Sequence, residues 1–161
     1  MRVKLPYILG AVAVGLIALR LLIIFATPTP VDPQTRIRQM FEEGKLAFER
    51  EDVDALMAML ADDFEWGGMR KEQLRYQLAN FFRNVQALRA EYRPPMIEVQ
   101  GDRAIARTEL KVIWSDAGPE SQSAGTLEVE LRRQHKRKWL LIPYEEWQVV
   151  RLRGLEPSWT E

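Results

Sequence analysis

Residues 97–114 read IEVQGDRAIARTELKVIW, and the alternation within that stretch decides the fold class. Ala104, Ala106, Leu110, Val112 and Trp114 fall on one side of an extended chain, while Arg107, Glu109 and Lys111 fall on the other. Gly101-Asp102 breaks the stretch at a turn. The same period recurs downstream, where Leu127, Val129 and Leu131 alternate with Glu128, Glu130 and Arg132. One apolar and one charged face is the pattern of an antiparallel sheet covered on one side by helices.

Working outward, four strand runs are predicted at about 89–99, 102–115, 124–135 and 138–151. The Gly118–Gly125 segment reads as a loose loop and His135–Lys138 as the last hairpin. Pro94-Pro95 interrupts the first run, as at an edge strand or bulge. The phase of the last run depends on whether Pro143 holds a bulge. Upstream the period changes to that of a helix. Asp32-Pro33 is an N-cap followed by proline at the first helical position. Ile37, Met40, Phe41 and Phe48 continue as an apolar stripe that Gly44 interrupts. Asp52 opens a second helix through Val53, Leu56, Met57 and Leu60, which Asp62-Asp63 ends, and Phe64-Glu65-Trp66 is a short strand before Gly67-Gly68. A third helix over about 70–87 carries Leu74, Leu78, Phe81, Phe82, Val85 and Leu88.

The N-terminal part of the 161-residue chain differs from the rest. Leu5 to Ala26 is apolar except for Tyr7 and Arg20, and as a helix it spans roughly 33 Å, enough for a bilayer core. A central Arg costs about 2.5–3.5 kcal/mol on insertion, and the many Leu, Ile, Val and Phe residues at about −0.3 to −0.6 each outweigh it. Arg2 and Lys4 precede the span and no charge follows it in Thr27–Val31. The positive-inside rule therefore puts the N-terminus in the cytoplasm and the domain outside it, in the periplasm if the cell is bacterial. A cleaved signal peptide is the alternative, although the apolar stretch is long and Ile24 makes a poor cleavage site. Ala11, Gly15 and Ala18 form a small-residue stripe suited to helix packing, and Arg20 could meet an acid on a partner helix. The expected organisation is an anchor over 1–27, a Pro-rich spacer over 28–32, one domain over 33–151 and a tail over 152–161.

The order of elements resembles the nuclear transport factor 2-like superfamily, which includes ketosteroid isomerase and the SnoaL-type polyketide cyclases. Three places carry the resemblance: Asp52-Val53-Asp54-Ala55-Leu56 leading to Leu60-Ala61-Asp62-Asp63-Phe64, Ile97 to Ala104, and Lys138-Trp139-Leu140-Leu141-Ile142. It implies an α+β fold in which three helices pack on a curved antiparallel sheet as a cone, with a pocket between the layers and often dimerisation through the sheet. Function is poorly implied, because one fold serves enzymes, binders and scaffolds.

The chemistry of the related enzymes is hard to find in these residues. The position that resembles the isomerases' general base falls at Gly67 or Gly68, which have no side chain. Glu65 alternates away from Phe64 and Trp66. His135 is the only histidine and lies in a basic run, so exposure is expected. The 23 basic and 23 acidic residues balance and there is no cysteine, which removes a global attraction for nucleic acid and any thiolate chemistry. No metal-ligand spacing is present, and no cofactor is expected. The remaining candidate pocket residues are Trp66, Tyr76, Trp114, Glu145 and Trp147, with Glu145 an acid among tryptophans if the last strand keeps phase. Arg132, Arg133, Lys136, Arg137 and Lys138 form a basic hairpin that could dock on lipid headgroups or simply keep a strand end solvated. These features lead to the expectation of a non-enzymatic, membrane-anchored assembly module of an envelope complex, meeting membrane lipid and other membrane proteins or a second copy of itself. The alternative is a binder or isomerase-like enzyme for a small apolar ligand, with its pocket near Glu145 and Trp147.

Overall fold

The computed structural model describes residues 31–138 and 142–155. The anchor expected over Leu5–Ala26, with Ala11, Gly15, Ala18 and Arg20, lies outside them. Among the described residues no helix is long and apolar enough to cross a membrane.

Helix α1 spans Pro33–Glu49 and buries Ile37, Met40 and Ala47. Helix α2 spans Val53–Ala58, with the Asp52 carboxylate accepting the Ala55 N–H at 2.9 Å as its N-cap. Strand β1 (Leu60–Trp66) follows at once. The second helix is therefore shorter than the sequence pattern predicts, and Leu60 belongs to the sheet. The reason is pairing: Val149 donates its N–H to the Met59 carbonyl, and the chain leaves the helix there to lie parallel to the last strand. Gly67 and Gly68, with φ of 54° and 82°, turn β1 into β2 (Met69–Arg70). Two successive residues at positive φ are what a tight hairpin of this hand requires.

Helix α3 covers Lys71–Asn84 and buries Leu74, Leu78, Phe81 and Phe82. It stops before the predicted 87 because the β-branched Val85 is extended and Gln86 donates to the Ser115 carbonyl, so the chain is already joining the sheet. The predicted run 89–99 is two strands, β3 (Ala87–Tyr92) and β4 (Met96–Gln100), and both pair with β5 (Arg103–Ser115). Pro94 and Pro95 fall in the gap, where no ladder N–H is needed. Strand β6 (Ser121–Lys138) is longer than expected, and β7 (Ile142–Arg153) is shifted toward the C-terminus. His135–Lys138 is paired strand opposite Ile142–Glu145 rather than the hairpin turn itself.

The seven strands are ordered β2-β1-β7-β6-β5-β3, with β4 beside β3 on the same edge of β5. Helix α1 closes that edge: Glu49 accepts the Ala90 N–H at 3.0 Å, and Gln34 reaches the Ile97 carbonyl. The register slips between Glu130 and Leu131, which face Arg151 and Val149, so Val150 is the extra residue of a bulge in β7. Pro143 holds no register slip in the described ladder. Trp147 and Val149 point inward on one side of the bulge, and Leu152 points inward on the other.

Arg132 reaches across β7 to Asp63 on β1 with two bonds of 2.9 and 2.7 Å. Its guanidinium, overriding a small opposing effect of burial, holds the Asp63 carboxyl below the usual aspartate range. A folded-state pKa below the unfolded value stabilises the fold above the unfolded pKa, and that stabilisation is lost as pH falls through the folded one. Both side chains are largely solvated, so Asp63→Asn should cost about 0.2–1 kcal/mol at neutral pH. In urea titrations the difference from wild type should close as pH drops below about 3.9. A gap that widens on acidification would refute the assignment.

Candidate cavity

Two apolar clusters join the helices to the sheet. Ile37 and Met40 of α1 pack with Ala104, Ala106, Val129, Leu131 and Trp147. Met57, Leu60 and Phe64 pack with Leu74, Leu78, Phe81 and Phe82 of α3. Where the clusters meet, the inward positions of the sheet carry small residues: Ala90 on β3, Thr108 on β5, and Ser123 and Gly125 on β6. Gly44 faces them from α1. The layers leave a cavity of about 260 Å³, walled by residues such as Met40, Met57, Leu78, Val112, Leu127 and Val149.

Three side-chain donors on the wall are bound within the protein. The Tyr92 hydroxyl donates to Glu42 at 2.6 Å, and burial, followed by that carboxylate, pushes its pKa above the ordinary tyrosine range. The Thr108 hydroxyl donates to the Arg93 carbonyl. The Trp66 indole N–H donates to the Leu155 carbonyl at 3.0 Å. Lys45 is the one charged side chain among the described lining residues, and its ammonium lies 4.0 Å from Glu49. No aspartate, glutamate or histidine of the described residues lines the space.

Of the predicted pocket residues, only Trp66 lines the cavity. Trp114 packs edge-on against Phe81 at 6.0 Å, and Tyr76 is 67% exposed. Trp147 is buried in the first cluster, with Arg133 stacked 5.6 Å from its ring centroid. Glu145 keeps phase with Trp147, but its side chain is 53% exposed and bonds Arg133 at 3.0 Å. The pocket expected near Glu145 and Trp147 is thus displaced toward α1 and β3, because Trp147 fills its end of the core with its own ring. His135 is exposed, 3.6 Å from Asp102 and 3.5 Å from Glu145. Arg132 and Arg133 are bound to Asp63, Asp102 and Glu145. Of Lys136, Arg137 and Lys138 only the backbone is described, paired with Tyr144, Pro143 and Ile142. Among the described residues no group of acids and histidine could hold a metal ion.

No protein-family model matches the sequence, and no curated protein sequence matches it. Solved structures do match. A nuclear transport factor 2-like superfamily protein from Salmonella enterica serovar Typhimurium aligns over 80% of this chain and 93% of its own, with a TM-score of 0.60 at 15% identity. The fold is nuclear transport factor 2-like. A hexachlorocyclohexane dehydrochlorinase from Novosphingobium barchaimii aligns over 76% of this chain and 84% of its own, with a TM-score of 0.59 at 14% identity. Bd1075 of Bdellovibrio bacteriovorus is matched over 74% of this chain, which spans 40% of that protein, with a TM-score of 0.62 at 11% identity. Likeness at these identities fixes the nuclear transport factor 2-like architecture and leaves the activity to be argued from the cavity.

The sequence signal for the cavity is the set of small residues at inward positions, Gly44 included. A Cβ built at Gly44 would sit 3.7 Å from the Met59 sulfur, an ordinary contact, and its φ is helical. Gly44→Ala should therefore raise stability by about 0.5–1 kcal/mol through helix propensity. A lowered midpoint in thermal denaturation would show that the cavity wall cannot accept the methyl group.

Proposed function

We propose that the domain binds a small, uncharged, apolar molecule in this cavity and performs no acid–base chemistry on it. The observation that carries the reading is the lining itself. Hydrocarbon makes up nearly all of the surface that faces the space, and the Trp66, Tyr92 and Thr108 donors on its wall are bound within the protein. A ligand that buried its own donors or acceptors would leave them unpaired at a cost of about 1–3 kcal/mol each, so the site selects against them. At the rim Glu42 and Glu49 outnumber Lys45, which favours a neutral ligand over an anion. An aliphatic cavity of about 150 Å³ accepts benzene, so by proportion this one suits roughly ten carbon atoms. Catalysis of the isomerase or dehydratase kind needs a base within hydrogen-bonding reach of the substrate. The lining offers no carboxylate or imidazole among the described residues.

The methionines provide the test. Met40, Met57 and Met59 line the cavity, whereas Met96, at the start of β4, does not line it and is 70% exposed. With methyl-labelled full-length protein in lipid nanodiscs, naphthalene should shift the first three methyl signals and spare the fourth. Shifts absent up to the solubility limit of naphthalene, or shared equally by Met96, would overturn the reading.

We further propose that residues 5–26 hold the domain at a membrane with its C-terminal part outside the cytoplasm, supported by the apolar length and flanking charge of that segment. Alkaline carbonate should leave the full chain in the membrane pellet, and its release into the supernatant would contradict a spanning anchor. Assembly with envelope proteins through Ala11, Gly15, Ala18 and Arg20 rests on that segment alone, so binding in the cavity is the reading adopted for the domain.

A further inference from the structure

Strand β7 ends at Arg153, and the chain then turns back over the concave side of the sheet. Gly154 makes the turn at φ +106°, and a Cβ there would lie 2.0 Å from the Thr126 carbonyl oxygen, so a side chain at this position would force the segment away. Leu155 arrives above Gly125. A Cβ at Gly125 would meet Leu155 Cγ and Cδ2 at 3.5 Å, an ordinary contact, which places the leucine side chain directly over Gly125. From the other side the Trp66 indole N–H holds the Leu155 carbonyl at 3.0 Å. Both Trp66 and Leu155 line the cavity.

We infer that Leu155 is the wall that sets the length of ligand the cavity accepts, and that the Trp66 indole positions it. The inference rests on the binding reading above. Unlike the strand residues around it, Leu155 is not part of a ladder. It follows a glycine and is held by one hydrogen bond and its contacts with neighbouring side chains. Its removal lengthens the cavity along β6 without cutting into the sheet.

The test uses a series of n-alkylbenzenes, from toluene to octylbenzene, and the methionine signals of the full-length protein. In wild type, affinity should rise about fourfold per methylene until the chain meets Leu155, and then level or fall. In Leu155→Ala the rise should continue for about two more methylenes, so that the affinity of the longer members relative to toluene grows tenfold or more over wild type. Trp66→Phe keeps an aromatic ring but loses the indole donor, and it should move the length limit in the same direction. If both variants bind the series with the wild-type limit, the assignment of Leu155 is wrong and cavity binding stands. If wild type binds no member of the series, the assignment and the binding reading fall together.

Discussion

The rest of this structure depends on a mismatch of shape between a curved sheet and short, straight helices. A sheet whose central strand β6 runs from Ser121 to Lys138 cannot be followed along its length by helices the size of α1 and α3. The layers therefore touch at two clusters, one around Ile37 and Trp147 and one around Phe64 and Phe81. A well-packed protein would fill the interval with large side chains, since an empty apolar space forfeits dispersion contacts. Here Ala90, Thr108, Ser123 and Gly44 occupy the facing positions instead. The interval persists because these positions are small.

The same arrangement explains why the site is dry in character. Backbone groups on the sheet are paired by the ladders, and three of the side-chain donors near the space are engaged by other groups of the protein. Tyr92 turns its hydroxyl to Glu42 and Thr108 to a backbone carbonyl, so neither is offered to a guest. Polar satisfaction within the protein and apolar selectivity of the cavity are two consequences of one set of hydrogen bonds.

Much of the architecture was legible from pattern alone. The alternation in 102–115 and 127–132 placed Ala104, Ala106, Val129 and Leu131 in the core, where they are buried. The stripe of α3 was equally clear. Local signals failed where a distant partner decided the outcome. Leu60 left its helix to pair with β7, and His135–Lys138 became strand because Ile142–Glu145 lies opposite. The site was less legible than the fold. Aromatic residues attracted attention as pocket candidates, yet Trp114 and Trp147 fill space, and the cavity arises from residues too small to be noticed singly. A bulge at Val150 set which residues of β7 turn inward, and nothing in that residue announces it.

The outer face of the sheet follows from the same alternation, with its charges opposed to one another. Arg107 bonds Glu128 and Glu98, Arg153 bonds Glu128 and Glu130, and Arg151 meets Glu130 and Glu65. These pairs cross five strands, from β4 to β1, and set three arginines against four glutamates. Each pair at a solvated surface adds little stability. Their joint effect is on potential: every one of these arginines faces carboxylates, so the face presents no positive field to a polyanion. A sheet that carries charge on one side and a hydrocarbon-lined space on the other directs its binding capacity inward. The concave side is thus where a small molecule would find favourable burial, and the convex side is where opposed charges pair with one another.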